Sequence, residues 1–364
     1  MMDETFSPSF GSRPAQLVGR EAEVAEFLEA LEGPVGHPNR ASLYIGNRGM
    51  GKTALLLELA EQAAAAGFVV AQVLVHERML DEIIELIQLG GAKYIPKGKR
   101  VKGFSASALG FSLGLTFTDE VRRDYGFRVK LSLLCDALAG AGHGVLILVD
   151  EVVSTSPQMR ELSATFQQLR GERKDIAIAM AALPASMSSV LNDEVLTFLN
   201  RAHKVQLGPI RLNDVAVFYT QAFTRLGKTF SAEVIQQMTE ASFGYPYLLQ
   251  LIGYHAQQLL GDELELTATT VELAIGNARR ELADDVYAPA LKQLSARDLA
   301  FLNAMAVDDG SSQIKDVAAR AQMSRANAQQ YRARLLEAGL IASTARGEIE
   351  FVLPYLGTYL REQT

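Results

Sequence analysis

Short uninterrupted apolar runs alternate with helical patterns over the first 210 residues of the chain. Runs of this kind, bounded by glycine, proline or charged residues, are typical of parallel strands buried on both faces. The predicted strands are Ser42–Ile45, Phe68–Val75, Gly144–Val149, Asp175–Pro184 and His203–Leu207. The stretches between them repeat apolar residues at helical spacing. The alternation predicts an α/β domain over residues 16–210, with a parallel sheet covered by helices on both faces.

The pattern becomes entirely helical from Leu212 onward, which predicts a helical lid over residues 211–290. The predicted lid helices are Asn213–Leu226, Ser231–Ala241, Tyr247–Leu260 and Thr267–Leu282. Gly244-Tyr245-Pro246 lies between the second and third of them. Glycine and proline at this point are expected to fix a turn and to start the next helix.

Three helical stretches followed by two short strands make up residues 291–364. The helices are Leu294–Ala306, Ser312–Ala321 and Arg325–Ala338, and the strands are Leu340–Thr344 and Ile349–Val352. This order is typical of a winged helix-turn-helix domain, in which the recognition helix enters the major groove of DNA. The third helix carries the polar residues Arg325, Asn327, Gln329, Gln330 and either Arg332 or Arg334, and Arg346 would tip the wing. Acidic and basic residues nearly balance in this region, so DNA binding and a packing or protein-contact role both fit the pattern.

Two segments depart from this organisation. Residues 1–15 are polar and carry glycine, serine and proline, which predicts a flexible N-terminal arm. An insert over about residues 90–122 begins with five lysines or arginines between Gly90 and Lys102. These charges fit either a solvated surface loop or a contact with nucleic acid or a protein partner. Alternating apolar residues over 103–118 predict that the insert continues as a β-hairpin.

Composition narrows the class of protein. The chain has 364 residues, 48% of them apolar, so a packed globular protein of two or three domains is expected. Its formal net charge of −7 argues against non-specific wrapping of nucleic acid by the whole surface. The single cysteine, Cys135, lies in an apolar helical run and is predicted to be a buried small hydrophobe. With no second cysteine, no apolar signal core and no membrane-length apolar run, a cytoplasmic protein is expected.

The candidate chemistry centres on Gly46–Thr53, whose letters GNRGMGKT fit the phosphate-binding P-loop pattern G-x-x-x-x-G-K-[ST]. A predicted strand precedes this segment and the helical run Ala54–Ala60 follows it, which is the context that the motif requires. Glycines let the backbone wrap around phosphates, and the helix N-terminus adds partial positive charge. Lys52 is expected to reach the β- and γ-phosphates of a nucleotide, and the Thr53 hydroxyl is expected to bind Mg²⁺.

A second candidate cluster ends the third predicted strand, where Asp150 and Glu151 follow five apolar residues. The carboxyl ends of parallel strands form the ligand-binding edge of an open α/β sheet. Asp150 is therefore expected beside the P-loop, holding Mg²⁺ through water or Thr53. Glu151 is expected to orient and deprotonate the attacking water. Arg201 precedes the last predicted strand and fits either an arginine that neutralises transition-state charge or an exposed helix end.

Several motifs in one order resemble the AAA+/STAND branch of P-loop ATPases. Within it, the chain is similar to bacterial and archaeal ATPases related to origin-recognition and helicase-loader proteins. The motifs are Leu17-Val18-Gly19-Arg20-Glu21, the P-loop, Leu148-Val149-Asp150-Glu151, Gly244-Tyr245-Pro246-Tyr247-Leu248-Leu249 and the final winged helix. The resemblance covers about residues 15 to 360. It implies that Val18, Gly19 and Arg20 lie near the adenine and ribose, and that Pro246 approaches the nucleotide from the lid.

These features predict an ATP-binding, Mg²⁺-dependent switch that hydrolyses ATP to ADP and phosphate and relays its nucleotide state to the winged helix. Many P-loop ATPases place a polar sensor where this chain has Ala181 and Ala182, which favours slow hydrolysis over a rapid motor. The predicted nucleotide-binding residues are Val18, Gly19, Arg20, Gly46, Asn47, Arg48, Gly49, Met50, Gly51, Lys52, Thr53, Ala54 and Pro246. The predicted metal ligands are Thr53 and Asp150, and the predicted catalytic residues are Lys52, Glu151 and Arg201.

Two alternatives fit the same sequence. One is a DNA-binding regulator, or a replication or transposition accessory ATPase, that contacts duplex DNA through Arg325, Arg332, Arg334 and Arg346. The other is a protein-interaction scaffold with little hydrolysis, whose winged helix touches only its own lid. The first requires an exposed third helix and salt-dependent duplex binding, whereas the second requires burial of that helix.

Overall fold

The computed structural model describes residues 5–8, 15–95, 100–101, 104–105, 125–152, 156–191 and 197–363. The chain divides into two compact units. The sheet unit comprises Arg20–Gly46 and Lys52–Leu207, and the helical unit comprises Met1–Gly19, Asn47–Gly51 and Gly208–Thr364. Within the described ranges, no helix combines the length and the apolar character needed to cross a membrane.

A five-stranded parallel sheet forms the centre of the sheet unit. The strands of this unit are β1 (Ala41–Gly46), β2 (Val69–Leu74), β3 (Arg100–Val101), β4 (Phe104–Ser105), β5 (Val145–Asp150), β6 (Ile176–Ala182) and β7 (His203–Leu207). The sheet order is β2-β5-β6-β1-β7, which confirms the predicted parallel sheet. The inner strands β5, β6 and β1 are buried along their whole length, as their apolar runs require.

Strands β3 and β4 pair with each other as a short antiparallel hairpin. They lie in the predicted insert, and the rest of the predicted hairpin and most of its basic residues lie outside the described residues.

Helices flank the sheet. They are α1 (Glu21–Glu32), α2 (Lys52–Ala65), α3 (Met79–Gly91), α4 (Phe127–Ala139), α5 (Pro157–Gly171) and α6 (Pro184–Leu191), with a 3₁₀ turn at Thr197–Arg201. α5 begins after Ser156, whose side chain accepts a hydrogen bond from the Met159 N–H, and Pro157 lies in its first turn. Apolar residues of α3, α4 and α5 pack with those of the sheet in one core. Cys135 of α4 is buried in this core, and burial raises the pKa of its thiol to about 12, which confirms the predicted small hydrophobe.

Arg40 joins the end of α1 to the sheet. Its side chain is 2% exposed, and its guanidinium donates to the carbonyl oxygens of Ala30, Leu31 and Gly33. The same guanidinium pairs with Asp175, directly before β6, at 2.5 Å. One buried cation therefore satisfies carbonyl groups at the helix end and orients the entry into β1.

Residues 212–292 of the helical unit are mainly helical, although the sequence predicts an entirely helical pattern there. Its helices are α7 (Leu212–Arg225), α8 (Ala232–Ser242), α9 (Pro246–Leu260), α10 (Ala268–Leu282) and α11 (Ala288–Lys292), with a π-helical turn at Ala283–Tyr287. The two-residue strands β8 (Thr229–Phe230) and β9 (Glu265–Leu266) pair in parallel. α8 and α10 begin after Ser231 and Thr267, whose side chains each accept a backbone N–H three residues on. Pro246 lies in the first turn of α9, in agreement with the helix start predicted there.

Phe6 lies in the core of the helical unit, although the sequence predicts a flexible arm over residues 1–15. Its side chain is buried, and its ring centroid lies 5.7, 6.2 and 5.4 Å from those of Phe218, Tyr219 and Phe223. A Cβ at Gly253 would lie 2.2 Å from the same ring. The segment around Phe6 is therefore held by aromatic packing that polar composition does not reveal.

The C-terminal part of the helical unit combines helices with a small sheet. Its elements are α12 (Ala296–Met305), β10 (Ser312–Gln313), α13 (Ile314–Arg320), α14 (Arg325–Glu337), β11 (Ile341–Ser343), β12 (Glu348–Phe351) and α15 (Leu356–Gln363). The strands form an antiparallel sheet in the order β10-β12-β11. Ser312 and Gln313, expected at the start of a helix, form the third strand instead. α14 begins after Ser324, whose side chain accepts the Asn327 N–H.

We predict that Arg40→Met destabilises the sheet unit by about 3 kcal/mol, because three carbonyl oxygens and Asp175 lose their shared donor. Urea unfolding followed by circular dichroism measures this loss. Arg128→Met is the matched control, since Arg128 pairs with Glu172 at 3.2 Å with both side chains exposed. That change should cost about 1 kcal/mol or less. Equal losses in the two variants would contradict the role assigned to Arg40.

Candidate functional site

The glycine-rich segment Gly46–Thr53 connects the end of β1 to the start of α2. Gly49 and Gly51 have φ angles of 72° and 77°, in the left-handed region that favours glycine. A hydrogen bond from the Met50 N–H to the Asn47 carbonyl, at 3.4 Å, closes the turn. The strand, turn and helix that the P-loop motif requires are therefore present. The left-handed backbone explains why glycine occupies positions 49 and 51.

Lys52 and Thr53, the first residues of α2, carry the side chains expected to meet phosphate and metal. The Lys52 Nζ donates to the Gly46 carbonyl at 2.9 Å, which holds the ammonium beside the loop. The Thr53 hydroxyl donates to Oδ2 of Asp150 at 2.6 Å. Asp150 is 4% exposed, and its Oδ1 accepts the Glu151 N–H at 2.8 Å. The sheet therefore brings the strand-end carboxylate to the P-loop helix.

Glu151 follows β5 in an unusual backbone conformation. Its φ is 50°, which a non-glycine residue adopts rarely and at some cost. The next residue, Val152, continues the hydrogen bonding to the sheet through Ala181 at 2.9 Å. The Glu151 side chain is exposed, so its carboxylate is accessible to water and solutes.

Within the helical unit, the turn before α9 lies against the P-loop. The Tyr245 hydroxyl donates to the Arg48 carbonyl at 2.9 Å. A Cβ at Gly51 would lie 3.8 Å from the Pro246 Cβ, an ordinary van der Waals distance. Tyr245 was not among the residues predicted to act at the site. The Gly-Tyr-Pro motif marks its position, but the sequence gives no sign that the aromatic ring would contact a loop almost 200 residues earlier.

The residues of the Val18-Gly19-Arg20 motif belong to different units: Val18 and Gly19 to the helical unit, and Arg20 to the sheet unit. Val18 is buried in the helical unit, and a Cβ at Gly19 would lie 2.7 Å from the Ile210 side chain. Arg20 belongs to the sheet unit, where it is buried and lies 3.7 Å from Glu23. Burial lowers the pKa of Arg20, and the nearby glutamates oppose this shift.

The residues at the P-loop fit a nucleotide with Mg²⁺. The Thr53 hydroxyl and the Asp150 carboxylate, 2.6 Å apart, are the hard oxygen donors that Mg²⁺ prefers when phosphates complete its ligands. The left-handed glycines suit the close approach of a phosphate to the backbone. Among the described residues, no cluster of three or more histidine, cysteine, aspartate or glutamate side chains could hold a metal by itself.

The predicted catalytic Arg201 and the alanines in place of a polar sensor both belong to the sheet unit. Arg201 ends the 3₁₀ turn before β7 and is exposed. β6 ends at Ala182, so the strand between β5 and β1 carries alanines at its tip.

The polar residues of α14 are divided between solvent and the protein. Arg325, Asn327, Gln329 and Gln330 are exposed, as is Arg346 in the turn between β11 and β12. Arg332 instead donates to the Ser343 hydroxyl at 2.5 Å. Arg334 pairs at 2.9 Å with Asp298, which is fully buried. Both arginines predicted as alternatives at the C-terminal end of this helix are therefore engaged inside the domain, because they lie over α12 and β11.

The AAA ATPase domain family matches residues 16–210, more than half of the chain, and the chain belongs to this family. The fold and the family together define a nucleotide-binding ATPase. A second match, over residues 284–360, is described as Domain of unknown function (DUF8462). No curated protein gives a significant match to this sequence.

Solved structures share the fold along almost the whole chain. The Walker-type ATPase PABY2304 of Pyrococcus abyssi is 18% identical with a TM-score of 0.66, covering 96% of this chain and 97% of its own. The ORC2 protein of Aeropyrum pernix, in ADPNP–ADP complexes, is 15% identical with a TM-score of 0.63, covering 98% and 95%. Cdc6p of Pyrobaculum aerophilum is 14% identical with a TM-score of 0.50, covering 98% and 97%. The resemblance to ATPases related to origin-recognition proteins is confirmed at the level of the fold.

Proposed function

We propose that the protein is a Mg²⁺-dependent molecular switch of the AAA+/STAND type that binds ATP and hydrolyses it slowly to ADP and phosphate. The observation that carries the proposal is the 2.6 Å hydrogen bond between the Thr53 hydroxyl and Asp150. It joins the hydroxyl of the phosphate-binding motif to the strand-end carboxylate, and these two groups are the expected partners of a nucleotide-bound metal.

Each residue near the P-loop has a proposed role. The backbone of residues 46–54 would hold the phosphates, Lys52 would exchange its bond to the Gly46 carbonyl for the β- and γ-phosphates, and Asp150 would hold Mg²⁺ with Thr53. Bound Mg²⁺ would neutralise charge on the phosphates. From the resemblance, Val18, Gly19 and Arg20 would lie near the adenine and ribose, and Pro246 near the nucleotide.

Hydrolysis would depend on Glu151, whose exposed carboxylate can accept a proton from water. The alanines at the tip of β6 supply no polar group to the γ-phosphate, which favours slow turnover. The exposed Arg201 would supply positive charge to the transition state.

The relay to the C-terminal region is supported by contacts of the P-loop itself. In the helical unit, the Arg48 carbonyl accepts a hydrogen bond from the Tyr245 hydroxyl. The Oδ1 of Asn47 lies close to Gly339, 3.7 Å from the position that a Cβ would take there. Gly339 lies two residues after the end of α14, next to its C-cap Ala338. A loop that changes with nucleotide would therefore act on both the lid turn and the end of α14. We assign residues 211–290 to the lid and residues 291–364 to a winged helix-turn-helix domain.

We predict that Lys52→Ala abolishes ATP binding, because the loop loses the ammonium that faces the phosphates. Titration with fluorescent ATP in Mg²⁺ measures the affinity. Lys204→Ala is the control, since the exposed Lys204 makes a comparable bond, from its Nζ to the Asn200 carbonyl at 3.0 Å. The control should bind ATP like the wild type. Normal affinity in Lys52→Ala would count against the proposed site.

We predict that Glu151→Gln keeps ATP affinity but lowers phosphate release by about 100-fold or more, because an amide cannot deprotonate water. Glu161→Gln, on the exposed face of α5, should leave both quantities unchanged. Undiminished phosphate release in Glu151→Gln would remove this residue from the role of general base.

A second candidate function, duplex DNA binding, is favoured by the exposure of the first two turns of α14. A helix that serves only as a packing module would bury these residues, whereas Arg325, Asn327, Gln329 and Gln330 are exposed. The exposed Arg346 lies between β11 and β12, as a wing-tip residue would. Arg332 and Arg334, held by Ser343 and Asp298, are assigned to the domain's own structure in this proposal.

If this candidate is right, Arg325→Gln and Arg346→Gln should each weaken duplex binding about three- to tenfold at low salt. Each should also reduce the slope of log K against log salt by about one, because one phosphate contact is lost. Fluorescence anisotropy with a labelled duplex over a salt series measures both quantities. Arg297→Gln, at the exposed start of α12, is the control and should change neither. Absence of duplex binding at every salt concentration would favour the protein-interaction scaffold instead.

A further inference from the structure

Tyr245 fits against the P-loop so closely that glycine is required at position 49. The Tyr245 side chain is 1% exposed, and its hydroxyl donates to the Arg48 carbonyl at 2.9 Å. A Cβ at Gly49 would lie 2.0 Å from the hydroxyl oxygen and 2.3 Å from the ring carbon that carries it. The tyrosine therefore occupies the space that a side chain at position 49 would need, in addition to the left-handed φ that favours glycine there.

The peptide group that Tyr245 contacts also carries the Gly49 N–H. A trans peptide is planar, so its C=O and N–H point in opposite directions. A donor that fixes the Arg48 carbonyl therefore fixes the Gly49 N–H on the opposite side of the loop. Glycine places little restriction on its own backbone, so an outside contact is needed to hold this peptide in one orientation. A hydrogen bond to the carbonyl also polarises the peptide and makes its N–H a stronger donor.

The hydroxyl acts as a donor in this bond, since a carbonyl oxygen can only accept. Burial raises the pKa of Tyr245 well above its ordinary value, which keeps the hydroxyl protonated at neutral pH. The next residue, Pro246, lies in the first turn of α9, so the bond connects the loop to the start of a helix in the lid.

We propose that Tyr245 is a positioning residue for phosphate binding, which holds the Arg48–Gly49 peptide with its N–H directed to the bound phosphates. This inference rests on the proposed nucleotide binding at the P-loop. The lid thereby sets the affinity of the loop for nucleotide through a contact with the loop backbone, which is separate from the approach of Pro246 to the nucleotide. By reciprocity, bound nucleotide should strengthen the Tyr245 contact by the same factor.

The test compares Tyr245→Phe with Tyr219→Phe. Tyr219 is also fully buried in the helical unit, and its hydroxyl donates to the Leu249 carbonyl of α9 at 2.8 Å. Both variants keep the ring of a buried tyrosine and lose one hydrogen bond from its hydroxyl to a carbonyl. Of the two tyrosines, only Tyr245 makes that bond to the loop. Urea unfolding should give similar losses of stability for the two variants.

The measurements are titration with fluorescent ATP in Mg²⁺ and competition by inorganic pyrophosphate. We expect Tyr245→Phe to bind both ligands about fivefold more weakly than the wild type, and Tyr219→Phe to bind both normally. Pyrophosphate is included because it has no base or ribose, so a loss for this ligand reports the phosphate-binding loop.

Unchanged affinity in Tyr245→Phe, equal loss in both variants, or tighter binding in Tyr245→Phe would each overturn the proposal. Tighter binding would mean that the contact holds the loop in a conformation that excludes phosphate. Failure of the proposed function has a different signature, in which the wild type binds ATP no better than Lys52→Ala. In that case the proposal for Tyr245 fails together with it.

Discussion

The site depends on one hydrogen bond, from the Thr53 hydroxyl to the Asp150 carboxylate at 2.6 Å. These residues are 97 positions apart, on the first turn of α2 and the last residue of β5. β5 and β1 are not neighbours in the sheet, because β6 lies between them. The contact is possible since the five strands of this sheet run parallel and their carboxyl ends reach the same edge. The parallel sheet therefore brings side-chain oxygens of two separate sequence motifs into direct contact.

The P-loop meets two requirements at once. Its ends, at Gly46 and Lys52, belong to the sheet unit, whereas Asn47–Gly51 belong to the helical unit. The left-handed conformations of Gly49 and Gly51 suit an anion-binding backbone. The lack of a side chain at Gly49 also leaves the space that the Tyr245 ring occupies. A larger residue at position 49 would thus disturb the turn before α9 as well as the backbone of the loop.

The C-terminal region divides its arginines between structure and surface. Asp298 is buried and caps α12 through Ser295, and Arg334 compensates its charge from the surface of α14. Arg332 holds α14 to β11 through Ser343. Removal of Arg334 would leave the charge of the buried Asp298 without its cation, which is costly. Removal of Arg332 would remove the side-chain contact between α14 and β11. Arg325 and Arg346 are exposed, and none of the contacts described above involves them. Substitutions at these two positions are therefore suited to testing DNA binding without disturbing the domain.

The sequence by itself determined the parallel sheet, the P-loop and the carboxylate at the end of β5. Local sequence patterns predict these features. Apolar runs indicate buried strands, glycines indicate the turn, and Lys52-Thr53 marks the start of the helix. Phe6 in the core, the third strand β10, the pairing of Arg334 with Asp298 and the contact of Tyr245 with Arg48 were decided only by the tertiary structure. Each of these joins residues that are distant in the chain or depends on which face of an element is covered. Local composition and periodicity carry no information about such partners, because the same tyrosine or arginine satisfies its pattern equally well in solvent or against another element.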